Sequence, residues 1–203
     1  MSEAILGILA SGRGSNLQSI IEAIAQGKIN ASVGVVITDK PEAKALERAR
    51  EAGIPAVCVD RKSCETKEIF EEKLVQALKE HGVTLVILAG FMRILSPVFV
   101  RAFKDRIMNI HPSLLPAFGG AHAHRDVLAY GVRVSGCTIH FVDEGMDSGP
   151  IILQAVVPVL PDDTEDTLAA RVLEQEHQLY PEAIALYTGG RLSIRGRHVE
   201  IKK

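Results

Sequence analysis

The stretch Ala4-Ile5-Leu6-Gly7-Ile8-Leu9-Ala10-Ser11-Gly12-Arg13-Gly14-Ser15-Asn16-Leu17 decides the fold class. Its first seven residues are apolar without alternation, as in a strand covered on both faces. Two glycines then open a turn, and from Asn16 to Gln26 apolar residues recur at helical spacing. Strand, glycine turn and helix make the first half of a βαβ unit, and the pattern repeats. Further apolar runs occupy 32–38, 56–59, 85–89 and 107–110, with helical patterns over 43–52 and 66–81 between them. Gly27, Gly53 and Gly82 each follow a helical run, where a left-handed cap residue is expected.

Beyond Ile110 the rhythm changes. Pro112, Pro116, Gly119 and Gly120 fall close together, which predicts a long irregular segment before the next ordered element. Strands are then expected over 136–142 and 150–159, a helix from Thr164 to about Tyr187, and a small hairpin at 192–194 and 199–201. The whole reads as an α/β fold: a Rossmann-like, mostly parallel twisted sheet of about seven strands with helices on both faces. No repeat or low-complexity linker interrupts the 203 residues, so 1–203 is read as a single domain whose halves, 1–100 and 101–203, meet near residue 100.

Composition narrows the function. With 47% hydrophobic and 24% charged residues the chain has the apolar content to build a core, which excludes disorder as its main state. The 23 Lys and Arg against 25 Asp and Glu leave a net charge of -2, which argues against a general nucleic-acid binder, so any anion site must be local. Apolar runs such as Leu85 to Ala89 fall far short of the ~20 residues that span a bilayer. Met1-Ser2-Glu3 leads straight into the first strand without a basic, secretory-type start, so the expected location is cytoplasmic. Cys58, Cys64 and Cys137 contain no C-x-x-C pair and read as reduced, mostly buried thiols.

Three segments carry candidate chemistry. In Ser11 to Leu17 the glycines let the backbone approach a ligand, and the N–H groups at the helix start suit a phosphate; the plain alternative is a β-to-α turn with Asn16 as helix cap. A dinucleotide reading, with Asp39 near the end of the second strand, is weakened by Leu17 in place of the third glycine of G-x-G-x-x-G. Asn109 and His111 stand two apart at a strand end, so both project to one side, an amide donor beside a titratable ring. His140 to Gly149 runs from a strand into a loop with Asp143, Glu144 and Asp147; a carboxylate there can orient an imidazole, and Asp147, near two glycines, is the candidate. Its spacing is not that of a calcium loop. His122 and His124 raise a metal alternative, but no thiol lies near, and a mobile loop facing substrate or solvent is favoured. Arg191, Arg195, Arg197, Lys202 and Lys203 read as a solvated hairpin surface.

Taken together, Ser11 to Leu17, Ala89-Gly90-Phe91-Met92-Arg93-Ile94-Leu95-Ser96-Pro97, Asn109-Ile110-His111-Pro112-Ser113-Leu114-Leu115-Pro116 and His140-Phe141-Val142-Asp143-Glu144 to Asp147-Ser148-Gly149-Pro150 resemble the phosphoribosylglycinamide formyltransferases, a folate-dependent family of purine synthesis, over nearly the whole chain. The resemblance implies formyl transfer from 10-formyltetrahydrofolate to the amine of 5-phosphoribosylglycinamide, without a metal. It implies Asn109, His111 and Asp147 as the catalytic group, Gly14, Ser15 and Asn16 around the phosphate, and Glu176 on the ribose. The folate pocket would be lined by Lys67, Met92, Arg93, Ile94, Leu95, Val142, Asp143, Glu144, Gly145 and Met146, together with Asn109 and Asp147. Residues 1–100 then form the phosphate-binding half and 101–203 the folate-binding and catalytic half. Two departures stand out: Lys67 where some relatives carry Arg, and Gly119 where many carry Pro, which predicts a more mobile loop.

In the implied chemistry the amine attacks the formyl carbon to give a tetrahedral intermediate. Asn109 and a protonated His111 meet its oxyanion, His111 supplies the leaving nitrogen's proton, and Asp147 assists, through water. The implied partners are small molecules, with no nucleic acid and no membrane, in a monomer or homodimer. Three alternatives are weighed: a 10-formyltetrahydrofolate hydrolase, which leaves the phosphate loop unexplained; a methionyl-tRNA formyltransferase, for which 203 residues leave little room; and a non-catalytic nucleotide-binding module, which leaves Asn109, His111 and Asp147 without a purpose.

Overall fold

The computed structural model describes residues 3–202; Met1 and Ser2 of the chain start and Lys203 of the basic cluster lie outside the described residues. The fold is mixed α/β, and the chain divides into two compact units, one ending at Met108 and the other beginning at Asn109.

In the first unit β1 (Ala4–Ala10), β2 (Ala31–Thr38), β3 (Ala56–Cys58) and β4 (Leu85–Leu88) lie in the order β3-β2-β1-β4, every pair parallel. Leu6, Ile8, Leu9, Val36, Ile37 and Ile87 are fully buried, as unbroken apolar strands between helical layers require. The connecting helices are α1 (Ser15–Ala25), α2 (Lys44–Glu51) and α3 (Lys67–Glu80). Gly27, Gly53 and Gly82, at φ 65–69°, end them as expected. Gly7 is small because Leu78 of α3 and Val83 would meet any Cβ placed there.

A short helix, α4 (Pro97–Ala102), was not expected from the sequence, although its start carries a signal: Ser96 caps Phe99 N–H with its side chain, and Pro97 sits where no N–H is needed. The chain then enters β5 (Ile107–His111), and the division between the units falls within this strand.

The second unit holds β6 (Val134–Phe141), β7 (Ile151–Pro158), β8 (Leu192–Arg195) and β9 (His198–Ile201), in the order β5-β6-β7-β9-β8. Here β7 runs antiparallel to β6, because the connection of 142–150 is too short for a crossover, and β7 alternates between inner and outer residues instead of being buried throughout. The terminal hairpin joins the same sheet through the pairing of Ile151 with His198, which brings the strands among the described residues to nine rather than about seven. A second helix not expected from the sequence, α5 (Ala123–Tyr130), fills part of the segment read as irregular.

Helix α6 (Glu165–Thr188) starts on a reciprocal capping box between Thr164 and Thr167. From within this helix Arg171 grips Asp163, just before the cap, with two hydrogen bonds of 2.7 and 2.8 Å, and these hold the Asp163 carboxyl well below its ordinary range. A carboxylate depressed in the fold stabilises at pH values above its unfolded pKa and ceases to as pH falls through the folded value. Asp163→Asn is therefore expected to lower the melting temperature at pH 7, with the difference from wild type shrinking below about pH 4, as read by calorimetry across pH.

Candidate active site

In the first unit, α1 begins on Gly14, whose φ of 70° and ψ of 30° place it in the left-handed region where a side chain is strained. A Cβ here would also press to 3.0 Å on Ala45 of α2. Asn16 is not the helix cap: that place is taken by Gly14, and among the described residues no side chain caps α1. A left-handed residue leading into a helix start with no side-chain cap is the kind of backbone that favours an oxyanion. Ser15 is the first residue of α1, and Asn16 is buried.

The neighbouring loop at 90–96 is fixed at several points. Ser11 donates its N–H to Gly90 O and accepts Met92 N–H on its hydroxyl at 2.9 Å. Arg93 pairs with the buried Asp39 at 2.7 Å. Ser96 is held through its N–H and hydroxyl by the buried carboxylate of Glu71, which also draws Lys67 Nζ to 3.7 Å. The anchoring leaves Met92 and Ile94 with their apolar side chains about 70% exposed. Leu95 is half-buried.

In the second unit β5 delivers Asn109 and His111, as the two-residue spacing predicts. His111 is buried between two acceptors. Its Nε2 lies 3.0 Å from the Phe118 carbonyl and its Nδ1 3.5 Å from Asp147 Oδ2. Asp147 Oδ2 also accepts Gly120 N–H at 2.8 Å, so the double-glycine segment is tied to the acid. Phe118 and Asp147 both adopt left-handed φ, 54° and 51°, and Gly120 lies at 90°.

The loop that carries Asp147 has its own frame. Asp143 accepts Gly145 N–H and the Ser148 hydroxyl, while Arg197 of the terminal hairpin donates to Ser148 O. Val142 is half-buried, whereas Glu144, Gly145 and Met146 face outward. Glu176, on α6, is buried.

A residue not assigned from sequence emerges beside Asn109. His140 Nδ1 lies 2.9 Å from the Phe141 carbonyl, which only accepts, so that nitrogen carries the proton. Burial pushes the His140 pKa down, outweighing the hydrogen bond to Phe141 and the nearby Asp147, so the ring is neutral and its Nε2 accepts. Asn109 Nδ2 donates to it at 3.1 Å. This bond fixes which end of the amide is nitrogen. The sequence signal is Thr138 and His140, two apart on a strand whose other residues, Ser135 aside, are apolar or glycine. Thr138 bonds Ser113 O, Leu115 N–H and Gln154, fastening the segment after β5.

His122 is exposed at the start of α5, while burial lowers the His124 pKa. Among the described residues no three His, Cys, Asp or Glu gather as metal ligands, and no helix is long and apolar enough to cross a membrane. Cys137, deep on β6, has its thiol pushed up to about 12, chiefly by burial; a thiol so held is inert.

Residues 6–184 match the formyl transferase family. The chain is 45% identical to the phosphoribosylglycinamide formyltransferase of Escherichia coli (strain K12), over 92% of this chain and 88% of that protein. It is 48% identical to the trifunctional purine biosynthetic protein adenosine-3 of Drosophila melanogaster, over 91% of this chain. It spans only 14% of that long relative. The crystal structure of glycinamide ribonucleotide transformylase 1 from Symbiobacterium toebii superimposes with a TM-score of 0.97 at 49% identity, covering 99% of this chain and 95% of that one.

Proposed function

Since the chain belongs to the formyl transferase family, we propose that it transfers the formyl group of 10-formyltetrahydrofolate to the amine of 5-phosphoribosylglycinamide in purine synthesis. The observation that carries this reading is the paired wiring of β5: an amide oriented by a neutral imidazole, and two residues on, an imidazole set between a carboxylate and a carbonyl. One residue pair thereby offers a fixed N–H and a mobile proton, the two things an acyl transfer to an amine demands.

In this reading the first unit holds the substrate phosphate on Gly14, Ser15 and Asn16, and the second does the chemistry with Asn109, His111 and Asp147, while Glu176 holds the ribose. The resemblance assigns folate contacts to Lys67, Met92 and Ile94 of the first unit and to 142–147 of the second, and Met92, Ile94 and Met146 are each exposed apolar side chains. The bound folate supplies an activated formyl group. Asn109 directs its second N–H at the oxygen where negative charge develops. His111 shares that charge and gives a proton to the departing nitrogen, which requires Nε2 to exchange the Phe118 carbonyl for the ligand. Asp147 holds the ring and takes up the amine's surplus proton through water.

The enzyme is read as cytoplasmic, acting on small molecules as a monomer or homodimer, with no metal, nucleic acid or membrane. The test is to mix protein with 10-formyltetrahydrofolate with and without 5-phosphoribosylglycinamide and follow the folate's absorbance. Deformylation only with the ribonucleotide is expected; deformylation without it makes the protein a hydrolase, and none at all a binding module.

A further inference from the structure

We propose that Arg48, on α2, is a positioning residue that sets the polarity of the phosphate loop; the inference rests on the reading of Gly14 to Asn16 as the phosphate site. Arg48 Nε donates to the Arg13 carbonyl at 2.9 Å, and its Nη1 reaches Gln18 Oε1 on α1 at 3.2 Å. One turn earlier on α2, Ala45 N–H donates to the Gly12 carbonyl at 3.2 Å. Both carbonyls entering the loop are thus drawn toward α2.

A trans peptide points its C=O and N–H in opposite directions. Holding Gly12 O and Arg13 O on the α2 side therefore turns the N–H groups of Arg13 and Gly14 to the other side, where an anion collects them. The loop does not secure this arrangement by itself. Gly14 has no side chain and adopts positive φ, so the Arg13-Gly14 peptide can flip with little steric cost, and the flipped form would present an oxygen to the phosphate. A guanidinium donating to the carbonyl selects the productive form, and with Nε and Nη1 so occupied Arg48 acts through the backbone.

The test measures the affinity of wild type, Arg48→Ala, Arg48→Gln and Arg48→Lys for 5-phosphoribosylglycinamide and for its dephosphorylated form, ribosylglycinamide, by titration calorimetry. Loss of a charge-assisted hydrogen bond at a half-buried site is expected to weaken the phosphorylated ligand about tenfold in Arg48→Ala and leave the dephosphorylated ligand unchanged. Arg48→Lys should recover part of the loss, and Arg48→Gln, which keeps most of the packing, should repeat it if Arg48→Ala does not fold. Saturating kcat and the KM for the formyl donor are expected to stay within about twofold, since neither involves this bond. An equal loss for both ligands, or none for either, overturns the proposal. Wild type that binds both ligands alike overturns the phosphate-site reading itself, a result recognisable before any variant is made.

Discussion

Asn109→Ala is expected to lower kcat for the proposed formyl transfer by about 10²–10³, the range found on removing one oxyanion donor, with the KM of each substrate little altered. The size of the expected loss follows from how the amide is held. An unrestrained asparagine must be fixed before it can aid a reaction, whereas here His140, kept neutral by burial, accepts one N–H and aims the other. The donor is in place before charge develops, the condition under which such a group favours the transition state over the ground state. Steady-state kinetics at saturating concentrations of both substrates is the check. A variant within a few-fold of wild type removes Asn109 from the mechanism, whatever its effect on stability.

Asp147→Asn is expected to lower kcat by about 10²–10⁴, the span of general acid–base contributions. This substitution separates charge from shape. Asp147 sits at φ 51°, a conformation that asparagine tolerates as well as aspartate, so the backbone of the 143–149 loop need not move. The remaining side-chain oxygen can still accept Gly120 N–H. What goes is the negative charge beside His111 Nδ1 and an acceptor for the surplus proton. Asp147→Glu, a methylene longer in a loop tied at Asp143, Ser148 and Arg197, should recover little. Pre-steady-state turnover resolves both variants, and an Asp147→Asn enzyme that turns over normally sinks the assignment.

The parallel half of the sheet was legible because its strands are uninterrupted apolar runs separated by helices that stop at glycines. The glycine turn announced itself by its place between Ala10 and α1, and Asn109 with His111 by their two-residue spacing. Other features leave fainter traces. Helices α4 and α5, of six and eight residues, are too short to display much periodicity, although Ser96-Pro97 marked one start. His140 heads the 140–149 segment in the sequence but receives a role only when Asn109 is seen against it. Choosing Asp147 over Asp143 depends on the loop's turn: Asp143 spends its carboxylate on Gly145 and Ser148, while Asp147 points to His111. The Phe118 carbonyl and Gly120 N–H are backbone groups, to which no side-chain pattern points.

The bond between His111 Nε2 and the Phe118 carbonyl bears on inhibitor design. Any compound aimed at this ring meets a nitrogen already satisfied by an amide oxygen, so a weak acceptor such as an ether gains little on displacing it. A urea or carboxamide oxygen placed where the Phe118 carbonyl now sits replaces like with like, and the freed segment becomes the moving part that medicinal chemistry must accommodate.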